Sequence, residues 1–304
     1  MKLIKPSFEI LEQGFSLDDI YKHIELCGRT CYKSTDKITK DSAIPFVNRM
    51  INSKHYAMLE HGTIYLKIPN NILYKTKNSD LCSKYINNPY TRCSECQDYT
   101  YNFDGLSKNI TNYLLVTTNL RVIIENGWEQ DLEYICEPYS NHIKRYTVRF
   151  ICNRQVSHEF VRHRVFSFAQ ESTRYCNYTK DKFDGELTFI QPCWIDEEYV
   201  PGEYDRSEQF VMLTEMLENV ESTYNFMINS GWKPQQAATV LPNALKTELI
   251  MTGFADETGW KHFFDLRAKG TTGAPHPQAK ELAESLMKEF INRKYINYDT
   301  ECMV

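Results

Sequence analysis

The first half of the chain shows several segments with helical spacing of apolar residues. Ser16-Leu17-Asp18-Asp19 has the form of a capping box, which predicts a helix from there to about Cys27. Residues 44–51 form a second helical segment, and Gln155 to Val165 form a third. These helices are expected to pack on strands that lie between them in the sequence.

Three short segments predict β-strands. Thr63 to Ile68 alternates polar and apolar residues, as a half-buried strand does. Tyr146 to Cys152 shows the same alternation, and Leu187 to Ile190 is a short third strand. The strands are few and are separated by helices of unequal length, which indicates an α+β fold and not a regular βαβ repeat.

Residues 70–112 lack this regularity. They are rich in Asn and Lys, so we interpret them as an irregular insertion or surface loops. Helical pattern returns near 114–126, ended by Gly127, and near 129–136.

The last third of the chain is predicted to be mostly helical. Ser207 begins a long helix that ends near Gly231, and residues 279–291 form a second amphipathic stripe. We therefore expect one domain over residues 1–304, with a central, mostly antiparallel, twisted sheet flanked by helices.

Composition narrows the possible functions. The net charge of −5 argues against a general nucleic-acid or membrane binder. The N-terminus lacks the apolar run of a signal peptide, and no segment approaches the roughly 18 apolar residues of a membrane span. Ten cysteines at irregular spacing favour free thiols in a reduced, cytoplasmic protein.

Positive charge is concentrated between residues 144 and 182. No glycine-rich phosphate loop is present there, so side chains must recognise any anion. If the segment is helical, Arg162 and Arg164 lie about 200° apart, and at least one of them is expected to face a protein cavity. A solvated basic face is the alternative interpretation.

The segment RHRVFSFAQESTR (162–174) resembles the signature of the flavin-dependent thymidylate synthases, in which RHR is followed after seven residues by S-x-R. Four other segments resemble conserved blocks of that family in the same order. They are HYAMLEHGTIYLKI (55–68), VSHEFVRHR (156–164), LPNALKTELIMTG (241–253) and HFFDLR (262–267). Residues 70–112 have no counterpart in the resemblance.

This resemblance implies an enzyme that methylates dUMP to dTMP. The carbon would come from methylenetetrahydrofolate, and FAD would carry a hydride from NADPH. The family members are homotetramers with active sites shared between subunits. The resemblance implies no metal, no nucleic acid and no membrane partner.

The resemblance also assigns roles to individual residues. Arg267 would polarise the uracil ring, and Ser172 would bind the nucleotide without acting as a nucleophile. The full set implied for dUMP is Glu159, Arg162, Gln170, Glu171, Ser172, Thr173, Arg174 and Arg267. The set implied for FAD is His55, Glu60, Arg162, His163, Arg164 and His262.

Several positions depart from the family pattern. Ala238 stands where many members carry a phosphate-binding arginine, and Glu159 replaces a usual glutamine. Ala57 replaces a usual hydroxyl residue, and the loop 256–259 lacks a common arginine. These departures bear on how the nucleotide and the flavin are held.

Other readings of the sequence stay open. The protein could be a homologue that binds nucleotide and flavin with little turnover, or a nucleic-acid-binding module that uses residues 144–182. Cys93 and Cys96, with Cys82 nearby, hint at a zinc site, but a second ligand pair is absent from the surrounding sequence.

Overall fold

The structure is a computed structural model that describes residues 1–69, 80–101, 108–180, 183, 185–200, 202 and 206–298. Its strands are β1 (Lys2–Ile4), β2 (Ser7–Leu11), β3 (Thr63–Pro69), β4 (Arg92–Tyr101), β5 (Lys108–Asn119), β6 (Arg145–Asn153), β7 (Ser167–Gln170), β8 (Thr188–Ile190) and β9 (Lys246–Phe254). Its α-helices are α1 (Leu17–Thr30), α2 (Ala43–Asn52), α3 (Asp80–Ile86), α4 (Leu120–Asn126), α5 (Arg154–Phe160), α6 (Glu208–Asn229), α7 (Pro234–Ala237), α8 (Trp260–Phe264) and α9 (Pro277–Asn292). Short 3₁₀ turns cover Thr35–Lys37, Tyr56–His61, Glu129–Tyr134 and Ala238–Val240, and a π-helical turn covers Asp265–Lys269.

The strands form two antiparallel sheets and one parallel pair. The four-stranded sheet has the order β2-β6-β9-β7, and the three-stranded sheet has the order β3-β5-β4. Strands β1 and β8 pair in parallel. The α+β class and the mostly antiparallel pairing are confirmed, although the strands are divided between sheets. That residues 1–304 form a single domain stays a prediction.

The largest apolar core lies between the four-stranded sheet and helices α8 and α9. Strand β6 contributes Val148 and Phe150 to it, and α8 contributes Trp260 and Phe263, all of them fully buried. Phe290 of α9 packs edge-on against Phe264, with ring centroids 5.3 Å apart. The helices that follow β9 are therefore fixed firmly on the sheet.

A second core joins α1 and α2 to the three-stranded sheet. It includes Ile24 of α1, Val47 of α2 and Leu66 of β3. A smaller contact of Cys27, Ala169 and Ile250 places α1 against the four-stranded sheet. Helices thus cover the four-stranded sheet on both faces.

Helix ends were the most predictable feature. The Ser16 hydroxyl accepts a hydrogen bond from the Asp19 amide and begins α1, and Ser207 caps α6 in the same way. Gly127 ends α4 in the left-handed conformation, with φ of 69°. The predicted helices at 44–51 and 279–291 are confirmed as α2 and α9.

The insertion is more regular than the sequence suggested. Within the described part of residues 70–112, α3 and β4 are ordered elements, and β4 pairs with β5 along its whole length. The predicted helix at 114–126 is wrong over its first half, because residues 114–119 belong to β5 and only α4 is helical. Residues 70–79 and 102–107 lie outside the described residues.

Two strand assignments also change. β3 is buried on both faces except at Lys67 and Pro69, so the half-buried prediction is wrong. β9 was missed in a region predicted to be mostly helical, although it is a central strand of the four-stranded sheet.

Candidate active site

The charged segment 162–174 is a chain of turns around a short strand and not one helix. Helix α5 ends at Phe160, where the prediction extended it to Val165, and β7 begins at Ser167. The His163 amide donates to the Phe160 carbonyl at 3.1 Å, which turns the chain back toward the sheet. The predicted helix through Arg162 and Arg164 is therefore wrong; both of these side chains are exposed, and His163 between them is buried.

Arg267 is the centre of a cluster built from separate segments. It lies on the π-helical turn that follows α8. Its Nε donates to His163 Nε2 at 3.1 Å, and its Nη1 donates to Glu159 Oε2 at 2.6 Å. Its Nη2 donates to the Glu159 carbonyl oxygen at 2.8 Å. The structure thus brings three of the residues implied by the resemblance into direct contact.

Electrostatics define the protonation state of this cluster. Burial, with the charges of Arg267 and His262, lowers the pKa of His163 to about 4. His163 is therefore neutral near pH 7, and its Nε2 accepts from Arg267 while Nδ1 carries the proton. Burial also lowers the pKa of Arg267, against the raising effect of Glu159. A guanidinium remains fully protonated at neutral pH.

The loop after β7 is held by backbone contacts. The Ser172 amide donates to the Cys31 carbonyl at 3.0 Å, and the Ser172 hydroxyl accepts from the Arg174 amide at 3.3 Å. The exposed Arg174 side chain donates to Gln235 at 3.2 Å, and the neighbouring Thr173 is half-buried. Gln170 donates to the Ser157 hydroxyl at 2.8 Å and so connects this loop to α5.

Glu171 faces the protein interior. It is 1% exposed, and its carboxylate accepts from Tyr178 at 3.1 Å and from Lys246 at 2.9 Å. Lys246 also contacts Glu248, 3.1 Å away on β9. Sequence spacing gave no signal for Lys246 or Gln235, because each comes from a distant segment and contacts the loop only in the fold. Tyr178 is seven residues from Glu171, but no sequence motif indicated their contact.

The other residues implied for the flavin are distributed more widely. His262 is exposed, and its ring centroid lies 6.0 Å from that of His163. His55 is exposed just after α2, and Glu60 pairs with Arg121. In the described part of the chain, His55 and Glu60 make no hydrogen bond or ion pair with the Arg267 cluster.

The insertion at residues 70–112 contributes an arginine to the loop 256–259, which lacks the arginine common in the family. Arg92 of β4 donates from Nε to Asp256 at 2.6 Å and from Nη2 to the Thr258 hydroxyl at 2.8 Å. The loop 256–259 is therefore stabilised by a residue from the region without a family counterpart. Ala238 lies half-buried in a 3₁₀ turn after α7.

A large cavity adjoins the loop at Tyr175. Its volume is about 750 Å³. Basic side chains predominate in its lining, which includes Arg29, Lys33, Lys37 and Arg49 with Asp36 as the acidic member. An anionic ligand matches this lining better than a neutral or cationic one.

The basic residues of 144–182 do not form one surface. Arg145 is buried, and Arg149 forms an ion pair with Glu9. This arrangement disfavours the nucleic-acid interpretation, which requires the charges to be presented together.

The thiols give no sign of a metal site in the residues that the structure describes. No group of three or more His, Cys, Asp or Glu residues there is arranged to hold a metal ion. Cys93 and Cys96 are an odd number of positions apart on β4, so their side chains point to opposite faces of the sheet. None of the eight cysteines whose side chains the structure describes forms a disulfide. None of the helices in this part of the chain is both long and apolar enough to cross a membrane.

Comparison with known proteins connects this geometry to a family. A flavin-dependent thymidylate synthase of Pyrococcus furiosus is 34% identical over 168 residues, which cover 55% of this chain and 59% of the relative. One of Thermococcus onnurineus is 32% identical over 117 residues, covering 38% of this chain and 43% of the relative. A solved UMP/dUMP methylase PolB of Streptomyces cacaoi is 16% identical, with 97% of this chain and 92% of that chain covered and a TM-score of 0.44, a likeness too weak to bear on the fold or function.

The family model described as thymidylate synthase complementing protein matches residues 141–293 of the 304. The match contains the 162–174 segment and all three residues of the cluster, which are Glu159, His163 and Arg267. The chain therefore belongs to the thymidylate synthase complementing protein family, the family of the flavin-dependent thymidylate synthases.

Proposed function

We propose that this protein catalyses the reductive methylation of dUMP to dTMP, with methylenetetrahydrofolate as carbon donor and NADPH as hydride source through FAD. The observation that carries the proposal is the fixed guanidinium of Arg267, bound to His163 and Glu159 beside the 162–174 segment. The relatives with this activity are matched over 59% of their length or less, so the activity is inferred from the site together with the family.

Arg267 would stabilise charge on the uracil ring. A guanidinium has five N–H donors, and the contacts to His163 and Glu159 leave one on Nη1 and one on Nη2. These donors can bind a uracil carbonyl oxygen, on which negative charge builds as C5 becomes nucleophilic. A donor that is already oriented loses little free energy in reorganisation, which is the source of electrostatic catalysis.

Ser172 would bind the nucleotide and not attack it. Its hydroxyl accepts from the Arg174 amide, and no histidine of the described residues lies within hydrogen-bond distance to take its proton. Arg174 is exposed and uses only Nε on Gln235, so both of its Nη nitrogens can bind the dUMP phosphate. Gln170 and Glu171 would act mainly by holding this loop in place, with Thr173 beside the nucleotide.

The residues present fit an anionic flavin dinucleotide. Arg162 and Arg164 are exposed and have no carboxylate within ion-pair distance among the described residues. Two unpaired guanidinium groups suit a diphosphate. His163 and His262 would contact the flavin from the same side, with His55 and Glu60 as further contacts. FAD, when bound, supplies the hydride chemistry, and the protein supplies orientation and charge.

The basic cavity beside Tyr175 supports a second anionic ligand. Its volume of about 750 Å³ lies in the usual range of ligand pockets, roughly 300–1,000 Å³. We place in it the negatively charged part of a co-substrate, either the folate or NADPH. Its position next to the nucleotide loop would bring that ligand toward the reacting ring.

We also propose a homotetramer with shared active sites. Among the described residues of one protomer, His55 and Glu60 make no hydrogen bond or ion pair with the Arg267 cluster, which supports a flavin site that takes residues from two subunits. Mixing two inactive variants, His55→Ala and Arg267→Ala, should then restore part of the activity, because mixed tetramers contain sites with both native residues. No recovery after subunit exchange would contradict the shared site.

The direct test is a spectrum followed by an assay. Protein incubated with FAD and freed of excess cofactor should keep the flavin bands near ~370 and ~450 nm. It should form dTMP from dUMP only when methylenetetrahydrofolate and NADPH are both present. A colourless protein that retains no FAD would exclude the proposal.

A second candidate is a homologue that binds nucleotide and flavin with little turnover. The ion pair between Glu159 and Arg267 favours it, because the carboxylate offsets the charge that catalysis needs. This protein would retain FAD and bind dUMP but form no dTMP. A cytoplasmic location is part of either proposal and agrees with the free thiols.

A further inference from the structure

Arg145 is a buried cation that has no acidic partner among the described residues. The residue is 7% exposed at the beginning of β6, between the two antiparallel sheets. Its Nη1 donates to the Thr63 hydroxyl at 3.2 Å, and its Nη2 donates to the Glu60 carbonyl at 3.1 Å and to the Ser167 hydroxyl at 3.4 Å. Its Nε has no hydrogen-bond partner. In the described part of the chain, no carboxylate lies within 4.0 Å of the guanidinium.

The neighbouring acids are engaged elsewhere. The Glu60 carboxylate pairs with Arg121, and Asp256 pairs with Arg92. The Phe254 ring lies 5.2 Å from the Arg145 guanidinium carbon, which offsets part of the cost of burial. Buried charges in proteins are normally paired, so the arrangement of Arg145 calls for an anion that the described residues do not supply.

A cavity of about 210 Å³ adjoins this cation. Arg145 and Lys144 both line this cavity. Three tyrosines, Tyr65, Tyr146 and Tyr295, also line it. Lys144 donates to the Tyr139 carbonyl and has no carboxylate within ion-pair distance among the described residues. Burial lowers the pKa of Lys144 and lowers that of Arg145 to about 10, so Arg145 remains charged near pH 7.

The acidic residue of the lining does not neutralise these charges. The Glu12 carboxylate is 3.2 Å from Arg293 Nη1 and accepts from the Tyr295 hydroxyl at 3.2 Å. Its charge is therefore balanced at the rim of the cavity. The Tyr65 hydroxyl accepts from the Arg145 amide at 3.1 Å, and its own hydrogen is left as a donor.

We propose that the Arg145–Lys144 cavity binds a small oxyanion, either free or as the phosphate group of a larger molecule. The volume holds a phosphate-sized ion with a few waters, because a water occupies about 30 Å³. It is smaller than the roughly 300–1,000 Å³ of pockets that enclose a whole nucleotide. Charge-assisted hydrogen bonds from both cations would hold the ion. This site is independent of the Arg267 cluster and does not rest on the proposed reaction.

The test uses inorganic phosphate with the full-length protein at constant ionic strength, balanced with chloride. Phosphate should raise the Tm by about 2 °C for each tenfold increase above its Kd, because it binds only the folded state. Isothermal titration should give one site per chain. Lys144→Gln and Arg145→Gln should each weaken phosphate binding by about tenfold or more.

Arg149→Gln is the matched control, since it removes an arginine from the same strand outside the cavity lining and should bind phosphate like the native protein. Lys144 is only partly buried, so its variant tests the proposal even if Arg145→Gln does not fold. Methyl phosphate and dUMP distinguish a free oxyanion from the phosphate group of a larger molecule. If methyl phosphate displaces phosphate and dUMP does not, the site binds a free ion. If dUMP also displaces phosphate, the site binds a nucleotide phosphate. An absence of saturable binding, or equal binding by Lys144→Gln and Arg149→Gln, would overturn the proposal.

Discussion

Glu159 holds Arg267 with both its side chain and its main chain. The carboxylate oxygen Oε2 lies 2.6 Å from Nη1, and the carbonyl oxygen lies 2.8 Å from Nη2 of the same guanidinium. The two contacts fix the plane of the group, and His163 fixes its third edge at Nε. The carboxylate therefore orients Arg267 and, at the same time, offsets the charge that would stabilise a uracil anion.

Glu159→Gln should separate these two effects. The amide oxygen can still accept from Arg267, but the negative charge beside the reacting ring is removed. A unit charge about 4 Å away is worth about 1 kcal/mol even in water-like surroundings, so the methylation rate should rise about fivefold or more. The measurement is single-turnover dTMP formation at saturating substrates. Glu289→Gln is the control: it removes a carboxylate of α9 that is paired with Arg293, and it should leave the methylation rate unchanged. A lower rate in Glu159→Gln would mean that the carboxylate itself is needed.

Arg267→Ala should lower the methylation rate by around 10²–10³-fold, the usual loss for one preorganised donor. Arg267→Lys should restore only part of this, because a point charge cannot reproduce the planar contacts to Glu159 and His163. NADPH oxidation does not require activation of the uracil ring and should survive in both variants. The two rates are compared in the same protein preparation. Equal loss of both would indicate that Arg267 supports the fold or the flavin site.

Structural features that depend on a few adjacent residues were predictable from the sequence. Features that depend on tertiary contacts were not. Caps at Ser16 and Ser207 depend on a few adjacent residues, and both helices begin where expected. β9 was missed because nearly all of its side chains are buried on both faces, which removes the alternation that identifies a strand. The end of α5 at Phe160 was missed because the following residues turn to let β7 pair with β9.

The candidate site shows the same division. The resemblance assigned His163 and Arg267 to the site from two separate blocks, the 162–174 segment and HFFDLR (262–267), and the two side chains are in contact in the structure. It could not show that Glu159 joins them, since that contact depends on how α5 faces the turn after α8. It also gave no signal for Arg145, whose significance comes from its burial, its unpartnered Nε and the absence of an acidic partner among the described residues.

Stability should decrease in mild acid because of buried neutral histidines. Burial, with neighbouring charges, lowers the pKa of His163 to about 4, and burial likewise lowers that of His23 to about 4 and that of His61 to about 3. These folded-state values lie below the usual ~6.5, so between pH 6.5 and about 4 the unfolded chain binds more protons. The free energy of unfolding must then fall as the pH is lowered through that window.

His163→Gln tests the contribution of one histidine, because its amide oxygen can still accept from Arg267. Between pH 7 and pH 5 this variant should lose about 2 kcal/mol less stability than the native protein in urea unfolding. His55→Gln, at an exposed position, should lose as much as the native protein. Equal losses in all three proteins would show that His163 is not neutral in the fold.

No cysteine is expected to act as a nucleophile. Cys152 and Cys176 are fully buried in apolar cores, and burial raises the pKa of Cys152 to about 12. Cys193 is an exposed residue, and the partial burial of its thiol raises the pKa of that thiol as well. Alanine at position 193 should leave dTMP formation unchanged, whereas alanine at 152 or 176 should reduce stability and leave the rate of the folded fraction intact. Loss of methylation with retained flavin and fold in any of the three would contradict the hydride-transfer reaction.

Gly259 is the position where a single methyl group should cost most. A Cβ built there would lie 2.0 Å from the backbone oxygen of Phe254, a contact that only a backbone shift can relieve. The Gly259 amide also donates to Asp256 Oδ1 at 2.9 Å, and the next residue is the fully buried Trp260 that begins α8. A shift would therefore disturb the core and the turn that carries Arg267, and Gly259→Ala should reduce the free energy of unfolding by about 3 kcal/mol or more. At Gly14 the added Cβ would lie 2.6 Å from Asp19 Cγ and 2.8 Å from Asp19 Cβ, so the backbone must shift there as well. Gly14 is an exposed residue of the connection before α1, which can move without disturbing a core, so Gly14→Ala should cost less than Gly259→Ala. Urea unfolding at pH 7 compares the two variants, and a Gly259→Ala protein as stable as Gly14→Ala would show that the loop 254–259 does not make this close approach.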